Sequence, residues 1–171
     1  EDAAHSFGSK RDSKKIGQVG DIICFSFDGI KNITCGEGGA ILCGNEKIIE
    51  RLRDIRLLGV IKDSDKRYKG KRSWDFKVTE QGWRYHMSNL NAAIGIAQLN
   101  NCDIKFNKRK KIVHKYFEDL KDFSKVELLN IFSNETVYHI FPILVDPLIR
   151  DQLRSLMLKD NIETGIHYKP N

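Results

Sequence analysis

The apolar residues of the chain recur at two different spacings, which predict strands alternating with helices. Asp21–Phe27 and Gly39–Cys43 are short runs rich in strand formers, joined through a glycine-rich turn at residues 36–39. Asn45 then offers a helix N-cap, and apolar residues follow at helical spacing until Gly59 closes the segment. These apolar residues are Ile48, Ile49, Leu52 and Ile55. A strand followed by an amphipathic helix indicates an α/β architecture.

The middle of the chain predicts a long loop and then two helices. Residues 60–82 are polar and irregular, and loops of this length are usually functional or mobile. Ser88 is suited to cap a helix, and a second helical stretch runs from Asp103 to about Leu120. We expect this helical region to link two domains.

The last third of the chain predicts a small α/β unit. Tyr138–Val145 is interpreted as a strand, in which Pro142 favours an edge position or a bulge. Asp146 and Pro147 are suited to cap and start a helix. A final strand is expected at Thr164–Tyr168.

Composition narrows the functional classes. The chain has 171 residues and a net charge of +6, and its densest basic stretch, residues 105–115, has helical periodicity. The lysines are therefore interpreted as a solvated helix face, and no nucleic-acid partner is expected. No apolar run is long enough to span a membrane, so we predict a soluble, cytoplasmic protein. The four cysteines show neither C-x-x-C spacing nor paired histidines, so no metal site and no disulfide framework is predicted.

Three blocks near the start of the chain carry a specific resemblance. They are Glu1–His5 (EDAAH), Cys24–Asn32 (CFSFDGIKN) and Gly36–Gly39 (GEGG). In this order and at these separations they resemble the sugar aminotransferases of fold type I, the DegT and StrS family, which depend on pyridoxal 5'-phosphate (PLP). The resemblance continues through Gly82–Ser88 (GWRYHMS) and ends at Gly165–Pro170 (GIHYKP), and so covers nearly the whole chain.

The resemblance implies a fold and a division into domains. Residues 1–102 would form the C-terminal part of the PLP-binding large domain, a mainly parallel sheet with helices. Residues 103–171 would form a small, truncated C-terminal α/β domain. The sequence starts without an initiator methionine and stops straight after an extended apolar segment, so both ends look cut. The resemblance also implies that a part is missing, because family members have roughly as much sequence again before the first block.

Lys31 is the implied catalytic residue, which would carry the cofactor as a Schiff base and later move protons at the substrate carbon. From position alone, Lys31 would be interpreted as a solvated loop lysine, and the surrounding blocks reverse that preference. Similar enzymes that dehydrate sugars have histidine at this position. Lysine therefore favours amino transfer.

Three further residues match cofactor-binding positions of the family. Asp2 would keep the pyridine nitrogen protonated, although a helix cap is an alternative. His5 would lie beside the ring hydroxyl, or could be a core histidine. Ser26 would donate its hydroxyl to the cofactor phosphate, or could be a strand serine bonded to the backbone. The Gly36–Gly39 turn lacks the spacing of a nucleotide loop, so backbone geometry is the expected reason for its glycines.

Two later segments leave their alternatives open. Many family members have an asparagine that reaches the cofactor phosphate of a neighbouring subunit, where this chain has Arg84. Arginine can also bind phosphate, but a surface arginine fits the sequence equally well. His167 and Tyr168 match a segment near the sugar nucleotide, or could be strand residues at a domain interface.

The resemblance thus implies transfer of an amino group from an amino acid, usually glutamate, to a nucleotide-linked keto sugar, in the biosynthesis of surface polysaccharides, glycans or related sugars. It also implies a homodimer, in which residues from both subunits complete each active site across a two-fold interface. The alternative is a non-catalytic fragment of such an enzyme, which folds or self-associates without turnover.

Overall fold

The computed structural model describes residues 1–62, 69–70, 76–129 and 133–168, which divide into two compact units. The first unit comprises residues 1–109 and 133–139, and the second comprises residues 110–132 and 140–171. The division at residue 102 that the resemblance implies stays a prediction.

The described residues of the first unit form two antiparallel strand pairs and two complete helices. Its strands are β1 (Lys10–Arg11), β2 (Lys14–Lys15), β3 (Ile22–Ser26) and β4 (Gly39–Cys43). Its helices are α1 (Glu46–Ile55) and α2 (Asn89–Asn100), and the next helix, α3, spans Cys102–Leu120. β3 and β4 pair over their full length, from Ile22 opposite Cys43 to Ser26 opposite Gly39. This antiparallel pair positions most of the candidate site.

In the described part of the second unit there are one short antiparallel strand pair and one complete helix. The strands are β5 (Glu127–Leu128) and β6 (Ile143–Leu144), and the helix is α4 (Pro147–Lys159). Among the described residues, no helix is both long enough and apolar enough to cross a membrane.

The three predicted helix caps are confirmed. The Asn45 side chain accepts a hydrogen bond from Lys47 N at 3.0 Å. Ser88 Oγ accepts one from Asn91 N at 3.1 Å, and Asp146 Oδ1 accepts one from the second residue of α4 at 2.8 Å. Each cap satisfies a backbone donor that has no partner within its helix. Local chemistry therefore fixes where these helices begin.

The C-terminal strand predictions are wrong in extent. Of the predicted strand Tyr138–Val145, only Ile143–Leu144 is a strand, because the carbonyl oxygens of Tyr138 and His139 accept hydrogen bonds from Arg109 Nη1 instead of from a neighbouring strand. Thr164–Tyr168 is not a strand either. The Thr164 carbonyl oxygen accepts a hydrogen bond from the side chain of Arg154 on α4 at 3.2 Å.

The expected mainly parallel sheet is also not what the described residues show. Their strand pairs are antiparallel, and a single parallel bridge joins Asp2 to Cys24. β3 and β4 are joined by twelve residues without a helix, a connection that returns the chain antiparallel, since a parallel pair usually requires a helical crossover.

Residues 60–82 were expected to form one long loop. Its two described ends are joined by backbone hydrogen bonds. Val60 and Val78 form an antiparallel bridge, and Ile61 N donates to Lys77 O at 3.0 Å. The central part of the expected loop, residues 63–68 and 71–75, lies outside the described residues.

The core of the first unit lies on one face of β3. Ile23 and Phe25 are 2% and 8% exposed, and they cluster with the buried Ala3. Phe7, Ile16 and Phe27 pack against this cluster. Ile22 and Cys24, which alternate with these buried residues along β3, are exposed, because successive strand residues point to opposite faces. One face of β3 is therefore structural, and the other is open.

Ile23→Ala should lower the free energy of unfolding by about 2–5 kcal/mol, because it removes buried methyl groups and leaves a cavity. Ile22→Ala is the matched control on the same strand and should lower it much less, since Ile22 is 39% exposed. Urea denaturation of both variants measures the difference. Equal losses would contradict this placement of the core.

Candidate functional site

Asp2 lies beside β3 through two backbone hydrogen bonds. Cys24 N donates to Glu1 O at 3.0 Å, and Ala3 N donates to Cys24 O at 2.9 Å. This is the pattern of a parallel bridge that pairs Asp2 with Cys24. The two bonds bring the first residues of the chain to a strand about twenty residues later in the sequence.

The bridge places Asp2 and Ser26 on the same face of the sheet. Paired residues point to one face, and residues two apart on a strand also share a face, so Asp2, Cys24 and Ser26 lie opposite Ile23 and Phe25. Asp2 is exposed and Ser26 is half-buried. A carboxylate and a hydroxyl thus share the open face of β3.

Asp2 does not cap a helix. Its Oδ1 accepts a hydrogen bond from Ala4 N at 3.0 Å, so the carboxylate caps a turn of the type that aspartate often stabilises. This bond fixes one carboxylate oxygen, while the residue as a whole remains exposed.

Lys31 follows β3 in a tight loop built around Asp28. Asp28 N donates to Ser26 Oγ at 3.4 Å, and Asp28 O accepts from Lys31 N at 3.1 Å. The Asp28 carboxylate accepts from Ile30 N at 3.1 Å. Ser26 is therefore bonded to the backbone as an acceptor, which leaves its hydroxyl hydrogen able to point elsewhere. The loop holds the half-buried Lys31 five residues after Ser26.

Backbone geometry accounts for the glycines that follow the lysine loop. A Cβ on Gly39 would lie 2.6 Å from the carbonyl oxygen of Phe25, and one on Gly38 would lie 2.5 Å from Cys35 Sγ. Gly38 also has a φ of +159°, at the edge of the region that favours glycine. Close approach thus requires glycine at the start of β4.

Cys35 is buried beneath this turn, and its thiol donates to Glu37 O at 3.2 Å. Burial raises the pKa of the Cys35 thiol, a backbone hydrogen bond lowers it in part, and the Glu37 carboxylate raises it further. The thiol therefore stays protonated and poorly nucleophilic at neutral pH.

His5 is not a core histidine, because the residue is exposed. Its ring lies against that of His139, with centroids 4.2 Å apart and planes tilted by 43°. His139 was not identified from sequence. It is 134 positions away from His5, and no local pattern links the two.

Asn32 is a second residue that sequence analysis missed. It is 5% exposed, and its side-chain amide donates to the carbonyl oxygens of His5, Phe7 and Val137 at 3.2–3.4 Å. An asparagine beside a loop lysine usually indicates a turn, so the burial of Asn32 could not be predicted from the sequence.

Arg84 lies at a backbone crossing of the first unit. It forms an antiparallel bridge with Leu57, and Tyr85 N donates to Arg56 O at 2.9 Å. A Cβ on Gly82 would lie 2.2 Å from Gly59 N, so the two segments approach as closely as glycine allows. The Arg84 side chain is exposed, as both of its sequence interpretations require.

His167 and Tyr168 lie in the second unit, whereas Lys31 lies in the first. Both are exposed, and their rings lie 4.7 Å apart. Their suggested contact with a sugar nucleotide stays a prediction.

The residues around β3 suit the cofactor that the resemblance implies. A carboxylate can pair with a ring N–H, a hydroxyl can donate to a phosphate, and a primary amine can condense with an aldehyde. Asp2 and Ser26 share one face, and Lys31 follows in the adjoining loop. The three groups fit the chemistry of PLP.

A family model matches the chain from residue 1 to residue 171 and describes the DegT/DnrJ/EryC1/StrS aminotransferase family. An uncharacterised protein of Methanocaldococcus jannaschii is 35% identical over 175 residues, which cover 99% of this chain and 45% of that protein. A UDP-4-amino-4,6-dideoxy-N-acetyl-beta-L-altrosamine transaminase of Campylobacter jejuni is 33% identical over 99% of this chain and 44% of its own. The chain thus spans less than half the length of these relatives.

Solved structures share the fold. Helicobacter pylori PseC, an aminotransferase involved in the biosynthesis of pseudoaminic acid, superposes with a TM-score of 0.87 at 26% identity. That match covers 99% of this chain and 44% of PseC. A Streptococcus pneumoniae protein named as a sugar aminotransferase, in its PMP form, has a TM-score of 0.85 at 26% identity over 99% of this chain and 43% of its own. The fold expected from the resemblance, that of the sugar aminotransferases, is confirmed.

Iodoacetamide should alkylate Cys24 well before Cys35 in the folded chain near neutral pH. Cys24 is exposed, whereas Cys35 is buried and its raised pKa keeps the thiolate scarce. Peptide mass spectrometry over a time course measures both rates, and the same experiment in urea is the control in which the difference should vanish. Equal rates in the folded chain would contradict the buried position of Cys35.

Proposed function

Because the chain belongs to the DegT/DnrJ/EryC1/StrS aminotransferase family, we propose that it is the lysine-bearing part of an enzyme that moves an amino group from an amino acid to a nucleotide-linked keto sugar. The Campylobacter jejuni relative is named as a transaminase of a UDP-linked amino sugar. The Helicobacter pylori relative is named for the biosynthesis of pseudoaminic acid. Both names support a nucleotide-sugar substrate for the whole protein, for which we propose glutamate as the amino donor.

One observation carries the proposal: Asp2 and Ser26 share the open face of β3, and Lys31 lies in the loop that follows. Two of these residues come from one block of sequence and the third from another. The pairing of Asp2 with Cys24 brings the two blocks together. PLP is the proposed cofactor, and a structure of the Streptococcus pneumoniae relative is described as its PLP form.

Each residue has a separate task in this proposal. Lys31 would hold the cofactor through its Nζ, and the same nitrogen would move a proton at the substrate carbon. Asp2 would accept a hydrogen bond from the ring N–H and so keep the ring nitrogen protonated. Ser26 would donate its hydroxyl to the phosphate, and His5 would lie beside the ring hydroxyl. The cofactor supplies the aldehyde and an aromatic ring that absorbs electrons.

Arg84 and the pair His167 and Tyr168 have less direct support. The exposed Arg84 is available to bind the phosphate of a second subunit's cofactor, which makes the competent species a homodimer. His167 and Tyr168 supply an imidazole and a phenol, which suit sugar hydroxyls and phosphate. These roles belong to the whole protein.

A non-catalytic fragment is the second candidate, and the length of the match favours it. The chain covers 44–45% of its curated relatives. Apolar residues of α2 are also strongly exposed, with Leu90 at 79% and Ile96 at 61%. A helix with apolar residues on all sides is normally buried, so this chain alone leaves surface that favours self-association.

Lys31 should be the site of PLP attachment. Incubation with PLP, reduction with borohydride and peptide mapping should find the pyridoxyl mass on Lys31, because this lysine lies in the loop that directly follows Ser26 at the end of β3. Lys31→Arg is the matched control, since it keeps the charge but cannot form the bond. Label mainly on another lysine would contradict the assignment. Label on Lys31 without turnover in the 171-residue chain would favour the fragment.

Mixing two variants tests the homodimer. In the full-length protein, Lys31→Ala should be inactive and Arg84→Ala weakened. If Arg84 serves the neighbouring subunit, each mixed dimer contains one intact site, so activity of the mixture should rise above that of either variant. Subunit exchange is verified with differently tagged chains. No rise despite proven exchange would exclude a cross-subunit role for Arg84.

A further inference from the structure

Asn32 connects three segments of the first unit that are distant in sequence. Its Nδ2 donates to Phe7 O at 3.2 Å, to Val137 O at 3.3 Å and to His5 O at 3.4 Å. Asn32 immediately follows Lys31, and the residue is 5% exposed. Hydrogen bonds from one buried amide therefore join the lysine loop to the segment after Asp2 and to residues near His139.

The orientation of this amide is forced. Backbone carbonyl oxygens only accept hydrogen bonds, so turning the side chain over would place its own oxygen against three others. In the observed orientation, Asn32 Oδ1 is buried and accepts no hydrogen bond from the described residues. A buried acceptor of this kind is unfavourable and is seldom kept without a compensating role. The amide donor is thus the part of Asn32 on which the arrangement depends.

The segment that receives the amide is itself held in place. Val137 N donates to Ser9 Oγ at 2.9 Å, and Lys10 N donates to Glu135 O at 2.7 Å. Arg109 Nη1 on α3 donates to Tyr138 O and His139 O. Asn32 consequently bonds to a segment that is fixed on both sides, and not to a free loop.

We propose that Asn32 is a positioning residue, which holds the Lys31 loop against the segment that carries Asp2 and His5. This inference rests on the proposed function, because the position of the Lys31 loop matters for catalysis only if Lys31 supplies the reactive amine. If Asn32 fixes the backbone next to Lys31, it affects how often the lysine amine adopts an orientation that can react with the PLP aldehyde. Asn32 acts through Lys31 and does not itself touch the cofactor.

Asn32→Asp is the sharpest substitution, since aspartate has the same shape but replaces the donor with an acceptor that faces three carbonyl oxygens. Asn91→Asp is the matched control. The Asn91 amide also donates to a backbone carbonyl distant in sequence, that of Glu37 at 2.8 Å, but it ties α2 to the glycine turn. Asn32→Ser keeps one hydroxyl donor and adds no charge, and it replaces the aspartate variant if that variant does not fold.

Two measurements on the full-length protein test the proposal. Hydrogen exchange followed by mass spectrometry should be faster in residues 5–9 and 133–139 of Asn32→Asp, and unchanged there in Asn91→Asp. The share of reductively attached PLP found on Lys31, relative to other lysines, should fall about tenfold in Asn32→Asp. Asn32→Ser should lie between the unaltered protein and Asn32→Asp in both.

The outcomes separate the possible failures. Unchanged exchange in Asn32→Asp would overturn the connection between segments. Faster exchange with an unchanged share of label on Lys31 would show that Asn32 is merely structural, and would overturn the positioning role. Absence of label on Lys31 in the unaltered protein would overturn the proposed function, and the positioning role with it, whatever the exchange data show.

Discussion

The parallel bridge between Asp2 and Cys24 is the interaction on which the rest of the first unit depends. Its two backbone hydrogen bonds bring the start of the chain to β3, so that Ala3 joins Ile23 and Phe25 in the core. The same bonds leave Asp2 on the opposite face with Ser26. Because a one-residue shift in pairing would exchange these faces, the buried core fixes the register that places the carboxylate.

Close backbone contacts also join β3 to the start of β4. Gly39 approaches the Phe25 carbonyl too closely for any side chain, and the turn before it covers the buried Cys35. Asn32, in the loop between β3 and β4, donates hydrogen bonds to Phe7 O and Val137 O. The loop that carries Lys31 is thus constrained both by a close glycine turn and by an asparagine amide.

The open face of β3 and helix α2 both carry exposed apolar residues. Ile22 and Cys24 are exposed on the face that carries Asp2, and the matched relatives are more than twice as long as the region they share with this chain. Exposed apolar residues beside a carboxylate and a hydroxyl are typical of a surface that binds a ligand or contacts another part of a protein. In the proposed enzyme, further protein and the cofactor would contact this surface, whereas in the non-catalytic fragment the surface would remain exposed or mediate self-association.

The sequence by itself determined the features that depend on near neighbours. Asn45, Ser88 and Asp146 cap their helices because a short polar side chain reaches backbone donors two or three residues away. The spaced blocks likewise identified the family and marked Lys31, Asp2 and Ser26 as candidates. Tertiary structure alone decided which segments meet. Residues 138–139 bond to Arg109 instead of extending a strand, the His139 ring lies against that of His5, and Asn32 is buried among carbonyls from two distant segments. These contacts join positions that are 25 to 134 residues apart, and each depends on hydrogen bonding and packing that no local pattern encodes.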